Sequence, residues 1–282
     1  MQAFVQLKFV QNALWACIFG GGGLSLIGVF ITLMEMPFLG ISMSHSAFLG
    51  GIIGLLLGFN PLAGAFLICA LSGLVIGPLA DKTDSSTNNM LAIIFTATMG
   101  IAFLLLSFIP GPKSEALNLI WGSILTISRT EIIILSFIVT ASVLLILIFY
   151  KELSAVLFHR EIAASCGIPE KTFSYAIIFI SGMIISASLD IVGGLLLFSL
   201  LVNPASAANQ LSYNLKFLFI LSAVFGIISC LGGLVLSYFF NIPTGAVVVL
   251  VSTLIYLLSA FFSPKKKRTY STDTGVNHEF NA

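Results

Sequence analysis

The chain has 282 residues, of which 58% are hydrophobic and only 8% are charged. Soluble domains carry about 25% charged residues, so this composition excludes an ordinary soluble domain and indicates a protein whose solvent is a lipid bilayer. The formal net charge of +1 excludes a large basic surface for nucleic acid. The four cysteines are far apart and form no Cys-x-x-Cys motif, so a structural zinc site is not expected.

Apolar stretches separated by helix breakers follow one another along almost the whole chain. A membrane-spanning helix needs about 20 mostly apolar residues, and nine candidate spans occur at residues 12–34, 38–58, 60–80, 89–109, 131–150, 173–188, 191–208, 214–238 and 244–262. Pro37, Asn60-Pro61 and Pro243 stand at turns between spans. These features predict an all-α polytopic membrane protein with eight or nine transmembrane helices. Residues 1–263 are predicted to form one transmembrane domain, and residues 264–282 a disordered cytoplasmic tail.

The second predicted span contains a histidine within the sequence GISMSHSAFLGG, residues 40–51. A neutral imidazole is tolerable inside a membrane and is the form of histidine that binds metal ions. One interpretation of His45 is a packing residue that hydrogen-bonds to Ser42 or to a carbonyl group. The other is a ligand on a transport pathway, because ionisable groups inside spans are costly and often functional. Ser42, Ser44 and, further along the chain, Asn203 are candidate supporting groups.

The segment between the fifth and sixth predicted spans reads KELSAVLFHREIAASCGIPEK, residues 151–171. Its apolar residues recur at helical spacing, Gly167 suits a helix end, and Pro169 prevents continuation. We therefore predict one or two short helices on the cytoplasmic face, which either rest on lipid headgroups or dock a cytoplasmic protein. The chain contains no Gly-Lys dipeptide and hence no Walker A motif, so any nucleotide hydrolysis must come from another chain.

The stretch from Phe173 to Ala208 contains one charged residue, Asp190. A continuous helix of this length would extend about 54 Å, which a hydrocarbon core of about 30 Å cannot accommodate. We predict a broken pair of helices that turns near residues 188–190 and ends near Asn203-Pro204, because discontinuous helices line cavities in transporters. Asp190 is either a pathway carboxylate or a helix cap at the outer interface whose side chain accepts backbone N–H bonds, and we prefer the cap.

The basic residues are distributed unequally between the predicted loops. With nine spans and the C-terminus in the cytoplasm, nine basic residues lie on the cytoplasmic side, and Lys8, Lys113 and Arg129 lie outside. Cytoplasmic loops are enriched in Lys and Arg, so this orientation is preferred to its inverse. It places residues 151–171 in the cytoplasm and the N-terminus outside.

Three stretches, together with the histidine-bearing second span, resemble a known family. They are LFHREIAASCGIP, LDIVGGLLLFSLLVNPASAA and NIPTGAVVVLVSTLIYLLSAFF, in that order. They resemble the membrane subunit, or permease, of the zinc, manganese and iron ABC importers, over roughly residues 12–262. The resemblance implies a homodimer in the cytoplasmic (inner) membrane that moves a divalent metal ion and holds no permanently bound cofactor.

The resemblance also implies partner proteins. ABC ATPase subunits would dock on the loop, and an extracytoplasmic metal-binding protein would deliver the ion. The expected docking contacts are Leu157, Phe158, His159, Arg160, Glu161, Ala164 and Gly167. The chain itself would then be a transport subunit and not an enzyme.

At one position the chain departs from the family pattern. Members commonly carry an acid four residues before this histidine, as in GDxxSHA, whereas this chain reads GISMSHS. Gly40, Ser44 and His45 match, and Ile41 occupies the place of the acid. Asp190 replaces the missing acid only if the fold brings the two spans together.

Other functions are compatible with these residues. A secondary transporter or channel would use Asp190 and His45 as a proton relay driven by an ion gradient. An organic metal chelate is an alternative cargo for an ABC importer. An intramembrane enzyme is disfavoured, because the spans contain no paired carboxylates, no Ser-His-acid set and no HExxH motif.

Overall fold

A computed structural model of the chain describes residues 8–83, 85–109 and 128–265. The described residues form helices and no strand, which confirms the predicted all-α fold. The helices are α1 (Lys8–Ala16), α2 (Gly22–Leu33), α3 (Phe38–Leu57), α4 (Pro61–Lys82), α5 (Thr87–Phe108), α6 (Arg129–Ile148), α7 (Tyr150–Phe158), α8 (Arg160–Ser165), α9 (Glu170–Val192), α10 (Gly194–Leu211), α11 (Leu215–Phe240) and α12 (Thr244–Phe261). A π-helical turn, Cys17–Gly21, joins α1 to α2.

The long helices differ in how deeply they are buried, and this places α3 at the centre of the bundle. In windows of membrane-spanning length, 72% of α3 is buried, compared with 22% of α5, 17% of α6 and 22% of α12. The buried apolar side chains come mainly from α2, α3, α9 and α10. The core therefore lies where these four helices meet, and α5, α6 and α12 form its periphery.

Helices α9 and α10 form the predicted broken pair, but the break lies at Gly193. Gly193 has a backbone φ of 79°, a conformation that a residue with a Cβ rarely adopts. The predicted turn at residues 188–190 is therefore wrong by three to five residues. The reason is that only the glycine permits this turn, whereas Asp190 continues α9.

Helix α10 continues through Pro204 to Leu211, so the predicted helix end near Asn203-Pro204 is wrong. A proline inside a helix removes one amide donor and deprives the carbonyl four residues earlier of its helical partner. Here that carbonyl belongs to Leu200, and it accepts a hydrogen bond of 3.0 Å from Ser25 Oγ on α2. The neighbouring helix thus satisfies the group that the proline frees, which allows a proline inside a membrane helix.

Replacing Ser25 with alanine is expected to destabilise the packing of α2 against α10. Hydrogen bonds between membrane helices contribute about 0.6 kcal/mol on average and up to about 1.7 kcal/mol. A loss near the upper value is expected because Ser25 is fully buried and Leu200 O would lose its partner. Thermal unfolding in detergent measures the loss, with Ser107→Ala as control, since the exposed Ser107 donates to Leu104 O within its own helix. Equal unfolding temperatures for the two variants would contradict the role of Ser25.

Side-chain contacts show which helix ends lie together. The contacting pairs are Asn88 with the carbonyl of Glu35, Lys171 with Asp81, Lys216 with Tyr150, and Ser263 with the carbonyl of Gln210. They bring the ends of α2, α4, α6, α10 and α12 and the starts of α5, α9 and α11 to one end of the bundle, which we call the loop end. The long helices therefore alternate in direction and cross the bundle nine times within the described residues. Eight of these crossings have the length and composition of a membrane span. The remaining crossing is α10.

Candidate functional site

His45 lies on the central helix α3 and points toward α5. Its ring meets the ring of Phe95 edge-on, with a centroid distance of 4.9 Å and an interplanar angle of 61°. The Nδ1 atom is buried and has no hydrogen-bond partner, and the Ser42 hydroxyl is also without one. The predicted hydrogen bond between His45 and Ser42 is therefore not formed. The imidazole packs against the Phe95 ring, and its buried Nδ1 atom is left without a hydrogen-bond partner.

The two serines predicted beside His45 differ in their bonding. The hydroxyl of Ser44 donates to Gly40 O at 2.7 Å within α3. Ser42 is fully buried, and its carbonyl accepts a bond of 2.9 Å from Ser46 Oγ. Ser44 is thus bound within its own helix, whereas Ser42 retains an unused hydroxyl in the core.

One face of α3 is only partly covered by the rest of the chain. Ile41 and His45 lie one helical turn apart on this face, and both are half-buried. Phe38, near the same face at the loop end, is exposed. Since α3 is otherwise among the most buried helices, we call Phe38, Ile41 and His45 the open face of α3.

Asp190 lies near His45 in the chain fold but not at the same level. Helix α9 packs closely against α3. A Cβ atom placed on Gly182 of α9 would lie only 3.2 Å from Sδ of Met43 on α3. Measured from this contact, Asp190 is eight residues along α9 and His45 two residues along α3, so Asp190 is about 9 Å further from the loop end. Met43 and His45 also point about 200° apart around α3. The fold brings the two helices together, but His45 faces α5 and not α9. The side chain of Asp190 is not among the described parts of the structure.

Asp190 does not occupy the position that precedes α10, and the capping role of its side chain stays a prediction. The residue that precedes α10 is Gly193. Asp190 belongs to the last turn of α9 instead, because the chain turns only at the glycine.

Asn203 joins α10 to α12. Its amide nitrogen lies 3.0 Å from Ser252 Oγ and 3.1 Å from Thr253 Oγ1, both on α12, and 3.3 Å from Ser199 Oγ. Ser199 and Ser252 share a further hydrogen bond of 2.6 Å. These bonds include no group from α3, so the fold gives Asn203 a packing contact and does not bring it to His45.

From the described part of the chain, a metal ion on the open face would meet one strong protein ligand, the imidazole of His45. Among the residues that the structure describes, no three His, Cys, Asp or Glu side chains form a group that could hold a metal. Imidazole nitrogen suits zinc and iron, whereas carboxylate and water suit manganese. A single imidazole is therefore a weak site, and a transported ion must be able to leave its site. Further ligands would have to come from water or from another chain.

The predicted short helices in residues 151–171 are confirmed as α7 and α8. Leu153, Val156 and Ala163 are buried and hold this hairpin against the bundle. Phe158 and Ile162 are apolar but remain 53% and 58% exposed. The hairpin thus anchors one face to the bundle and presents apolar side chains on the other.

Helix α8 ends at Ser165, and Gly167 forms the turn that follows it, in agreement with the predicted role of this glycine at a helix C-terminus. Gly167 has a φ of 81°, its N–H donates to Ala164 O, and the N–H of Ile168 donates to Ala163 O, both at 3.0 Å. This pair of bonds is a Schellman motif, which requires the left-handed conformation that glycine provides. The remaining predicted docking residues are distributed as follows: His159, Glu161 and Ala164 are exposed, Leu157 is half-buried, and the side chain of Arg160 lies outside the described residues.

Two contacts near these sites are not indicated by the sequence. Phe95 meets His45 across fifty residues of chain, and no periodicity in α5 distinguishes it from other apolar residues. Asp81 accepts a hydrogen bond of 2.6 Å from Tyr175 Oη and pairs with Lys171 at 2.7 Å. Opposite charges at the ends of two spans would have indicated this pair only once the helix order around the bundle was known.

Across residues 8–83, 85–109 and 128–265, nine helical passes and an exposed two-helix hairpin at one end form the architecture of a polytopic membrane protein. Residues 6–263 match the ABC 3 transport family. The chain belongs to this family.

Several known proteins are similar to the chain over nearly its full length. The manganese transport system membrane protein MntC of Halalkalibacterium halodurans is 29% identical over 259 residues, covering 92% of this chain and 89% of the relative. MntC of Listeria monocytogenes is 28% identical over 271 residues and 96% of each chain.

Two solved structures are also similar to this chain over most of its length. A chain in the structure of PsaBC from Streptococcus pneumoniae in complex with Fab matches with a TM-score of 0.85 and 26% identity, covering 96% of this chain and 98% of that one. An inward-facing conformation of a putative metal-chelate type ABC transporter matches with a TM-score of 0.76 at 16% identity, over 92% and 88% of the two chains. At that identity the second match shows the fold alone.

Proposed function

We propose that this chain is the membrane permease of an ABC importer for a divalent metal ion, with manganese as the first candidate and zinc and iron as the others. The observation that carries the proposal is its similarity to membrane proteins of manganese transport systems over more than nine-tenths of its length. The half-buried imidazole on the open face of α3 agrees with this proposal, because it offers a ligand to a passing ion.

Two copies of the chain are proposed to form the transport pathway between them. Within the described residues one chain offers His45 but no group of three metal-binding side chains. The open face leaves Ile41 and His45 partly uncovered, so a second copy would supply a second imidazole to the same pathway. Two imidazoles and water would hold an ion only transiently, which suits conduction. The metal is cargo and not a resident cofactor.

The energy is proposed to come from separate ABC ATPase subunits bound to α7 and α8. The chain has no Walker A motif of its own. The exposed Phe158 and Ile162 give the hairpin an apolar surface, and such a surface on a monomer commonly marks a protein interface. An extracytoplasmic metal-binding protein is proposed to deliver the ion at the opposite end of the bundle.

The loop end is proposed to face the cytoplasm of a cell whose cytoplasmic membrane the chain crosses. In the described residues, the basic residues at the loop end are Lys82, Lys151, Arg160, Lys171, Lys216 and Lys265, and those at the opposite end are Lys8 and Arg129. Because cytoplasmic loops are enriched in Lys and Arg, this distribution favours a cytoplasmic loop end and an outside N-terminus.

Transport by purified components tests the proposal. Liposomes that contain the chain with its ATPase subunits, and that receive the metal-binding protein loaded with manganese from outside, are expected to accumulate manganese only when ATP is enclosed on the loop-end side. The matched control is the same preparation with a chain that lacks residues 157–168. Metal accumulation by the chain alone, driven by an ion gradient, would contradict the proposal and support a secondary transporter.

Cysteine labelling tests the orientation without any engineered residue. Cys166 at the end of α8 is exposed, whereas Cys17, Cys69 and Cys230 are buried. A membrane-impermeant maleimide is therefore expected to label the chain, expressed without its partners, only after the cells are permeabilised. The variant Cys166→Ser should remain unlabelled under both conditions. Labelling of Cys166 in intact cells would place the hairpin outside and exclude ATPase docking there.

A further inference from the structure

Helix α6 leaves an apolar groove between itself and α11 at the loop end. The groove has a volume of about 460 Å³. Val143, Ile146 and Leu147 of α6 form one wall, and Phe219 and Ile220 of α11 form the other. Residues of both walls therefore present hydrocarbon to the space between the helices.

Tyr150 and Lys216 close the groove at the loop end. The Nζ atom of Lys216 lies over the ring of Tyr150, 5.5 Å from its centroid. Lys216 is exposed, and within the described part of the chain no carboxylate forms an ion pair with it. The groove thus ends in an aromatic ring and a cation without a neutralising partner.

A second apolar groove lies on the other side of α6, between α6, α2 and α9. Its volume is about 370 Å³, and its lining includes Ile27, Phe30, Phe173 and Ile177. Ile146 borders both grooves. The last turns of α6 therefore stand away from the bundle on two sides, which agrees with the low burial of this helix.

In a bilayer, the material that fills such space is an acyl chain. From Val143 to Tyr150 the groove extends about 10 Å, which fits within one leaflet of about 15 Å of hydrocarbon. Tyrosine and lysine are the side chains that favour the headgroup level at the edge of the membrane. Basic groups between helices at this level attract anionic lipids.

We propose that the groove between α6 and α11 binds an anionic glycerophospholipid, with an acyl chain along Ile146 and the phosphate at Lys216. The groove supplies the apolar contact, and the unpaired ammonium selects a negatively charged headgroup over a zwitterionic one. The binding does not depend on the metal ion or on the ATPase subunits.

The position of this lipid connects it to the hairpin. Tyr150 is the first residue of α7, its carbonyl accepts a bond of 2.6 Å from Ser154 Oγ, and the N–H of Leu153 donates to Phe149 O at 2.9 Å. A lipid held against Tyr150 therefore packs against the base of α7. Its occupancy would stabilise the angle at which the hairpin leaves α6.

Native mass spectrometry of the purified full-length chain in detergent tests the proposal. Phosphatidylglycerol is expected to bind more tightly than phosphatidylcholine with identical acyl chains. The variant Lys216→Gln should lose about fivefold in affinity for phosphatidylglycerol, because one lysine near the surface contributes about that factor, and should bind phosphatidylcholine as before. Lys82→Gln is the matched control, since Lys82 is exposed at the same end but does not line the groove.

Two further variants separate binding from folding. Lys216→Arg keeps the charge and is expected to retain the preference for phosphatidylglycerol. Ile220→Trp adds bulk inside the groove and is expected to weaken both lipids equally. The proposal is overturned if the wild-type chain binds the two lipids equally, or if Lys216→Gln and Lys82→Gln bind phosphatidylglycerol with the same affinity.

Discussion

Replacing Ile162 with aspartate is expected to prevent the ATPase subunits from copurifying with this chain. Ile162 is the most exposed large apolar side chain of the α7–α8 hairpin, at 58%. A few central side chains of an interface each cost about 2 kcal/mol or more when truncated, and if Ile162 is one of them the affinity falls by at least about 30-fold. The aspartate adds the cost of burying an unpaired charge, which makes the loss larger.

The chain itself should tolerate this substitution. Ile162 lies beside Ala163, and it is Ala163, not Ile162, that is buried. An aspartate at position 162 therefore stays in water in the free chain, and the Schellman motif at Gly167 uses backbone groups alone. The expected loss thus concerns the partner and not the fold.

Affinity purification from membranes, followed by detection of the ATPase subunits, measures the effect. Thr83→Asp is the matched control, because Thr83 is exposed at the loop end but lies outside the hairpin. Deleting residues 157–168 should have the same consequence as Ile162→Asp while leaving membrane insertion intact. If the ATPase subunits copurify equally well with Ile162→Asp and with Thr83→Asp, the hairpin is not their docking site.

The parts of the fold that hydropathy governs could be predicted from the sequence. In a bilayer every backbone polar group must find a partner within the protein, so a spanning segment is a helix and its length follows from the membrane. The helical spacing of apolar residues predicted α7 and α8, and the turn at Gly167 follows from a residue type that favours the left-handed conformation. These predictions needed only the local sequence.

The parts that depend on contacts between distant helices could not be predicted in the same way. Pro204 lies inside α10 because Ser25, 175 residues away, satisfies Leu200 O, and no local pattern contains that information. The sequence offered two positions for the turn between α9 and α10, the charged Asp190 and the glycine at 193. The charge suggested the wrong one, because a charged residue stands out in an apolar stretch. For His45, the sequence predicted the residue but not Phe95, its aromatic neighbour on α5.

Replacing His45 with alanine is expected to reduce metal uptake at least tenfold in cells that express the chain with its partner subunits. Even residues that only support a metal ligand change affinity or activity by about 10- to 100-fold when mutated. The open face of α3 would then present Ile41 and Phe38 without a donor atom. A dehydrated ion would have no ligand from this face to replace lost water, so its passage would become slower.

The comparison with neighbouring positions makes the result specific. Ser46→Ala is the matched control, because Ser46 is adjacent in the chain but lies on the buried side of α3, within 3.1 Å of Ser72 Oγ. Its loss should leave uptake nearly unchanged. Equal amounts of each variant in the membrane, and equal unfolding temperatures after purification, would show that the difference arises in transport.

Measuring manganese, zinc and iron in parallel separates the role of His45 from that of Asp190. Imidazole suits zinc and iron better than manganese, so removing His45 should reduce the uptake of zinc and iron by the larger factors. Asp190 lies about 9 Å further along the bundle, and Asp190→Ala should not reproduce this order of metals. If the His45→Ala variant takes up all three metals as the wild type does, the imidazole is not part of the pathway. His45 is the one histidine of the membrane helices in the described residues, so no other imidazole of these helices could take its place.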